Sequence, residues 1–312
     1  MDNLKLLQYC INRTEKFLDY NYMFVKKDNN LNYYQKRTRE IKEILTAIKK
    51  IKNKSNSSNV QEQLFLELQR KIKKYANYSE FGSFINACDS TMNENINDLD
   101  LLKKITHLYL EKRKLSDITP IEWIQAIIDK GSSRKKGQAG TNKLIKILEK
   151  KGFVRVKKIQ EFVNKKKVMA KLSSRGEFSN KNVKKAFNIS IGRKTQGKSL
   201  DLIIKNNRNV FLLEAKHLNT GGGGQNKQVL ELIEIIRTKP PKNNYHFVAF
   251  LDGIHSNNIL GVGIRPKKSA KVKKRSKDEI KIEKQYTDIT ESLKKNQNNY
   301  WVNSAGFAKL FS

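Results

Sequence analysis

The stretch SLDLIIKNNRNVFLLEAKHLNTGGGGQNKQ, residues 199–228, decides the fold that the sequence predicts. It holds two short apolar runs, 200–204 and 210–215, and the five polar residues between them are typical of the turn of a β-hairpin. With the turn centred between Asn207 and Arg208, Asp201 lies opposite Glu214. The sequence therefore predicts two antiparallel strands that bring two carboxylates together.

The charged residues of these predicted strands point to a metal site. Opposed side chains of neighbouring strands lie roughly 5 Å apart on one face, and strict alternation adds Lys216 to the face of Asp201 and Glu214. Paired carboxylates in an apolar setting are costly unless a cation joins them. We hypothesise that Asp201 and Glu214 bind one or two Mg²⁺ ions, with the carbonyl of Ala215 as a further ligand by position. The alternative is a solvated surface pair of Glu214 and Lys216.

The charge of the chain indicates a polyanionic partner. Lys and Arg number 64 against 30 Asp and Glu, which gives a net charge of +34 over 312 residues. Double-stranded DNA is the leading candidate because its phosphates reward many cations, and a membrane surface competes with it. No apolar run is long enough to span a bilayer. The N-terminus lacks a secretory signal, and Cys10 and Cys88 fit buried thiols of a reducing cytosol, so we expect a cytoplasmic protein without a membrane partner.

Hydrophobic periodicity divides the chain in two. Helical spacing predicts a helical N-terminal domain over residues 1–115, with a DNA-binding or dimerisation role, and a catalytic domain over residues 116–312. The predicted helices of the first domain include 36–53, 60–75 and 99–112. In the second domain, Pro120–Asp129 should be a helix that buries Trp123 and Ile127.

The rest of the second domain mixes strands and helices. The basic segment GSSRKKGQAG, residues 131–140, should be a loop whose Arg134, Lys135 and Lys136 follow a phosphate backbone, with a plain surface linker as the alternative. A helix then ends at Gly152, a strand covers 153–159, and residues 160–198 leave the sheet. After the hairpin come a helix at 227–237 and a buried strand at 245–251. The fold class is thus α/β (α+β), a central mixed β-sheet flanked by helices.

The glycine-rich loop 219–225 suggests contact with DNA. Its four glycines let backbone N–H groups approach phosphates, while Gln225, Asn226 and Gln228 have the donor and acceptor pair that reads adenine. A flexible linker is the alternative. The loop lacks the terminal Lys-Ser/Thr of a nucleotide-binding P-loop, so no small-molecule cofactor is expected besides the metal.

Asp201 followed by Glu214-x-Lys216, on a hairpin between two helices, resembles the core of the PD-(D/E)XK nucleases, and the excess of cations makes the chain similar to type II restriction endonucleases. The resemblance covers residues 138–262. It implies that Asp201 and Glu214 bind the metal and that Lys216 orients or deprotonates the attacking water. Leu200 replaces the family's proline, and Glu149 is the nearest match to the acid that many relatives carry on the first core helix.

The resulting prediction is a Mg²⁺-dependent type II restriction endonuclease that hydrolyses double-stranded DNA at a specific sequence. We expect a homodimer, because cutting both strands of a symmetric site favours two-fold symmetry. The alternatives are a structure-specific nuclease of the same fold and a non-catalytic basic protein that binds nucleic acid.

Overall fold

A computed structural model describes residues 1–24, 27–51, 58–75, 78–115, 120–130, 133–189, 200–264 and 276–312. Two compact units divide the chain. The sheet unit comprises Met1–Met23 together with Arg134–Ser312, and the helical unit comprises Phe24–Ser133. These units describe packing; the functional division at residue 115 stays a prediction.

The secondary-structure elements are numbered along the chain. The helices are α1 (Asn3–Ile11), α2 (Leu31–Ile51), α3 (Ser58–Tyr75), α4 (Glu80–Ala87), α5 (Met92–Asn97), α6 (Leu99–Lys112), α7 (Ile121–Lys130), α8 (Ser133–Glu149), α9 (Ile159–Asn164), α10 (Asn180–Phe187), α11 (Gly223–Arg237), α12 (Ile254–Leu260), α13 (Lys277–Lys295) and α14 (Ser304–Leu310). The strands are β1 (Val154–Arg155), β2 (Lys167–Lys171), β3 (Leu202–Asn206), β4 (Asn209–His217), β5 (Tyr245–Asp252) and β6 (Tyr300–Val302). Among the described residues, no helix combines the length and the apolar character that crossing a membrane requires.

The helical unit confirms the helices predicted from periodicity. Buried apolar residues recur every three to four positions on α2, α3 and α6 and form one core. Asp98 caps α6 by accepting a hydrogen bond from the N–H of Leu101, which starts the helix at the predicted residue. The predicted burial of Trp123 is wrong: its exposed fraction is 51%, whereas Ile124 is fully buried. One residue turns a helix by 100°, so the side chain that faces inward on α7 is that of Ile124.

The sheet is mixed, as predicted, with its six strands in sequence order. β2, β3 and β4 are antiparallel neighbours, while β1 runs parallel to β2, and β4, β5 and β6 run parallel to one another. Helices cover both faces, so consecutive residues of the central strands are buried on opposite sides. On β3, Leu202 and Ile204 join one core and Ile203 joins the other.

The central hairpin has the predicted register. Leu202 pairs with Leu213 and Asn206 pairs with Asn209. Asn207 adopts the left-handed conformation in the turn, with φ of 56°, which asparagine tolerates better than most residues. Local turn geometry thus fixes which residues of β3 and β4 face each other.

Two predictions about the preceding segment are wrong. The predicted strand 153–159 is reduced to Val154–Arg155, and residues 160–198 do not simply leave the sheet, because Lys167–Lys171 forms β2 between β1 and β3. Its Val168, Met169 and Ala170 are all buried. Lysines flank this short apolar run, so the hydrophobic pattern did not predict a strand there. Pairing with β3 stabilises β2.

The predicted basic loop at 131–140 is also wrong, because helix α8 begins at Ser133. Glycine within a helix costs about 1 kcal/mol relative to alanine, and packing offsets this cost. Ala139 and Thr141 are buried, and a Cβ at Gly140 would lie 3.1 Å from Oη of Tyr22, so a larger residue there would require the Tyr22 ring to shift by a few tenths of an ångström. The side chains of Arg134, Lys135 and Lys136 lie outside what the structure describes.

Helix α1 packs within the sheet unit, next to β6 and α14. Asn3 Nδ2 donates to the carbonyl oxygens of Leu293 and Asn299, at 2.9 and 3.1 Å. Cys10 is buried and unoxidised, and burial raises the pKa of its thiol to about 11. Cys88, in the helical unit, is free and half-buried. Neither cysteine forms a disulfide.

Candidate active site

Asp201 lies at the start of β3, where the backbone ladder fixes it from both sides. Its N–H donates to the carbonyl of Leu213 at 2.9 Å, and its own carbonyl accepts from the N–H of Leu172 at 3.0 Å. Its side-chain Oδ2 accepts a hydrogen bond from the backbone N–H of Ala215 at 2.8 Å. The carboxylate therefore reaches across to β4, between Glu214 and Lys216, as the predicted register requires.

Glu214 and Lys216 form a close ion pair on one face of β4. The Lys216 Nζ lies 2.6 Å from Glu214 Oε1, and the side chains are 11% and 7% exposed. Two positions apart on a strand, the two side chains share a face. The structure thus brings together the three residues predicted to carry the chemistry.

The sequence did not predict a second carboxylate that pairs with Lys216. Glu231 on α11 places Oε2 3.5 Å from Lys216 Nζ, with 20% of its side chain exposed. It lies one helical turn before Ile235, which packs against the core beside β3 and β4. That spacing was the available signal, because residues four apart share a helix face.

The donor atoms at this site suit Mg²⁺. Asp201, Glu214 and the Ala215 carbonyl offer hard oxygen atoms, and Mg²⁺ characteristically binds one or two carboxylates and keeps water or phosphate oxygens elsewhere. Across the part of the chain that the structure describes, no three His, Cys, Asp or Glu side chains assemble into a metal-binding group. Zinc and iron sites built from histidine and cysteine are thus not found among those residues.

The opposite face of the sheet, at the same end of β4 and β5, holds a buried polar group centred on Asp252. We call Tyr22, Lys143, His217 and Asp252 the Asp252 cluster. Asp252 is fully buried and accepts hydrogen bonds from Tyr22 Oη at 2.6 Å and from Lys143 Nζ at 2.9 Å. His217 Nδ1 lies 2.8 Å from its other oxygen, and the Tyr22 ring stacks on the His217 ring at 3.6 Å.

Electrostatics favour one protonation state for Lys143 and one for Tyr22. Burial disfavours the charge on Lys143, but Asp252 and Glu15 outweigh burial and raise its pKa above the ordinary value. Lys143 also lies 2.7 Å from Asp19. Burial and the adjacent Asp252 carboxylate raise the pKa of Tyr22. Lys143 therefore stays charged and Tyr22 stays a hydrogen-bond donor, which ties α8 and the N-terminal segment to the end of β5.

Comparison with known protein families identifies the domain that contains β3 and β4. Residues 149–259 match the DpnII restriction endonuclease family. The chain carries a DpnII restriction endonuclease domain. No curated protein sequence matches the chain. The domain extends from the end of α8 into α12 and includes Asp201, Glu214, Lys216 and Glu231.

The DpnII family consists of type II restriction enzymes, so the chain is an endonuclease that cleaves DNA. This confirms the resemblance predicted from Asp201 and Glu214-x-Lys216. It also excludes the alternative of a non-catalytic nucleic-acid-binding protein. The roles of individual residues stay predictions.

The polar residues after β4 begin helix α11 of the DpnII domain. The predicted loop 219–225 ends at Gly222, and α11 starts at Gly223, four residues before the predicted start at 227. Glycine-rich sequence disfavours a helix, but packing overrides it: Asn226 Oδ1 accepts a hydrogen bond from buried Gln285 on α13 at 3.1 Å. Gln225 and Gln228 are half-buried on the same first turns.

Two further charged residues of the DpnII domain lie towards opposite ends of strand β2. Lys171, at the end of β2, donates to Asn142 Oδ1 at 3.0 Å. Burial and the neighbouring Arg155 lower its pKa, against the effect of Asp201 close by. Glu149, by contrast, is exposed at the last residue of α8 and precedes β1, which runs parallel to β2. Glu149 thus lies towards the start of β2, while Lys171 and Asp201 lie at its end.

His255 of the DpnII domain predicts a loss of stability in acid. Its ring is 2% exposed, neither ring nitrogen has a hydrogen-bond partner among the described residues, and burial lowers its pKa. The unfolded chain therefore binds a proton more readily below the ordinary imidazole pKa of about 6.5. The free energy of unfolding should fall as the pH drops through that value.

Replacing His255 with Leu should make this loss smaller. Urea unfolding of both proteins at about pH 7 and about pH 5.5 measures it, since the two proteins differ at residue 255 alone. An equal loss in wild type and variant would show that His255 does not contribute.

Proposed function

We propose that this enzyme hydrolyses phosphodiester bonds of double-stranded DNA at a specific sequence, using Mg²⁺ held by Asp201 and Glu214. The observation that carries the proposal is the junction of β3 and β4, where Asp201 is fixed on the N–H of Ala215 and Glu214 is paired with Lys216. This is the pair of carboxylates beside a cation that metal-assisted hydrolysis needs. The Ala215 carbonyl is the proposed third protein ligand.

Each residue of the proposed site has a separate role in hydrolysis. Bound Mg²⁺ would supply an activated water and neutralise charge on the phosphate. Asp201 is held rigid by a backbone N–H, which fixes the position of its carboxylate oxygens. Lys216 places a positive charge beside Glu214, where it stabilises the negative charge that develops on the phosphate.

DNA recognition is assigned to two segments. Gln225, Asn226 and Gln228 on the first turns of α11 are the proposed base-reading residues, and Arg134, Lys135 and Lys136 on the first turn of α8 are the proposed phosphate contacts. The Oδ1 atom of Asn226 already accepts a hydrogen bond from Gln285, so Gln225 and Gln228 are the stronger candidates for reading bases. We further propose a cytoplasmic homodimer that cuts both strands of a symmetric site.

A sequenced digest tests the proposal. Unmethylated genomic DNA is incubated with the protein in Mg²⁺, in Mn²⁺ and in EDTA, and the ends of the fragments are sequenced. We expect one short sequence at every end in the presence of metal and intact DNA in EDTA. Ends of random sequence, or cutting in EDTA, would contradict the proposal. Preferential cutting of branched substrates would identify the structure-specific alternative.

A further inference from the structure

The Lys216 ammonium lies between two carboxylates of different elements. It is 2.6 Å from Oε1 of Glu214 on β4 and 3.5 Å from Oε2 of Glu231 on α11. All three side chains are mostly buried, with exposed fractions of 11%, 7% and 20% for Lys216, Glu214 and Glu231. Partly buried charges are screened less by salt than surface charges, so the choice of partner matters.

Metal binding by Glu214 conflicts with its pairing to Lys216. A carboxylate oxygen that accepts a short hydrogen bond from an ammonium group has one lone pair fewer for a cation. The ammonium and the metal ion also repel each other across the shared carboxylate. The repulsion favours a shift of Lys216 away from Glu214 when the metal binds, to a position from which the ammonium still acts on the phosphate.

Glu231 is placed to receive Lys216 and not to bind the metal. It does not complete a group of three with Asp201 and Glu214, since no such metal-binding group forms within the described ranges. Its helix is anchored by Leu232 and Ile233, which are fully buried next to it. The Glu231 carboxylate is thus a fixed acceptor on the side of Lys216 away from the strand pair.

We propose that Glu231 is a positioning residue that holds the Lys216 ammonium when Glu214 binds the metal ion. This inference rests on the proposed function, because it takes Glu214 as a metal ligand. The Lys216 side chain has three N–H donors on a flexible stem, so it moves from one carboxylate to the other without a change in the backbone. Without Glu231, Lys216 stays on Glu214 and competes with the metal.

Metal affinity tests the proposal without relying on cleavage. Mn²⁺ is titrated into the full chain, and free Mn²⁺ is read by electron paramagnetic resonance. We expect Glu231→Gln to weaken Mn²⁺ binding roughly fivefold, the scale of one partly exposed ion pair. Glu234→Gln is the matched control, because Glu234 lies on the same helix and pairs with Arg237 instead. It should leave Mn²⁺ affinity unchanged.

A second pair of variants separates positioning from simple charge attraction. In a Lys216→Met background no ammonium competes for Glu214, so adding Glu231→Gln should no longer weaken Mn²⁺ binding. If the loss persists in that background, Glu231 acts on the metal directly and the proposal is overturned. An unchanged affinity in the Glu231→Gln single variant would overturn it as well.

Failure of the underlying function gives a different result. Glu214→Gln should remove the saturable Mn²⁺ site; if it does not, Glu214 is no ligand and the proposed function fails at that residue. If the wild-type chain shows no saturable Mn²⁺ binding, both proposals are overturned. If Glu214→Gln removes the site and Glu231→Gln has no effect, the positioning role alone is overturned.

Discussion

Replacing Glu214 with Gln is expected to lower the DNA cleavage rate roughly 10³-fold, the scale of removing one charge-stabilising group from an active site. Glutamine has nearly the same shape, so it keeps the packing of a side chain that is 5% exposed. It has no negative charge for a cation, and it keeps the pairing of Lys216 with Glu231. The loss should therefore lie in catalysis and not in folding.

Two measurements separate these effects. Single-turnover cleavage of a duplex that contains the site identified by the digest gives the rate, and binding of the same duplex in EDTA gives the affinity. We expect binding to be kept, because a phosphate-dominated interface loses no cation in this variant. Glu234→Gln serves as the control and should cut normally. A Glu214→Gln enzyme that cuts as fast as wild type would exclude Glu214 from the site.

Replacing Asp252 with Ala is expected to destabilise the sheet unit by about 3–5 kcal/mol, the range found when one partner of a buried ion pair is removed. Asp252 is fully buried and accepts hydrogen bonds from Tyr22 and Lys143. Its loss removes one of the three carboxylates that surround the Lys143 ammonium among the described residues, and that ammonium is 9% exposed. A cavity forms in the same place, which adds to the cost.

The two tryptophans make this effect measurable within one unit. Trp301 is fully buried in the sheet unit, whereas Trp123 lies in the helical unit and is 51% exposed. In a Trp123→Phe background, fluorescence of Trp301 during urea unfolding reports on the sheet unit alone. Asp288→Ala is the control, because Asp288 pairs with Arg237 at the surface and such pairs contribute up to about 1 kcal/mol. Equal midpoints for the Asp252 variant and this control would contradict the prediction.

The sequence predicted those parts of the fold that local rules determine. The register of β3 and β4 followed from one turn and from alternation, so Asp201, Glu214 and Lys216 could be placed in advance. Helix α6 followed from its apolar spacing. Cysteine usage and net charge indicated the kind of partner and compartment to expect, but they identified no residue of the active site.

The parts that could not be predicted depend on contacts between distant residues. Strand β2 is stabilised by pairing with β3, and α8 packs against Tyr22 at Gly140, so the local sequence of each segment did not predict its structure. Glu231 and Asp252 lie on separate elements from the residues they contact. Their importance comes from juxtaposition in the folded chain. The four-residue spacing of Glu231 and Ile235 indicates a shared helix face, but it does not indicate that Glu231 contacts Lys216.

The packing of α1 against the end of the sheet determines the order in which this protein can fold. Asn3 bonds to the carbonyl of Asn299, a separation of 296 residues, and the whole helical unit is synthesised between them. Helix α2 packs mainly against α3, the next helix in the chain, so this pair can form on the ribosome, whereas closing long-range contacts slows folding. The sheet unit can reach its final packing only after β6 has left the ribosome. DNA cleavage should therefore begin after translation of nearly the whole chain, well after the catalytic strands themselves have been made.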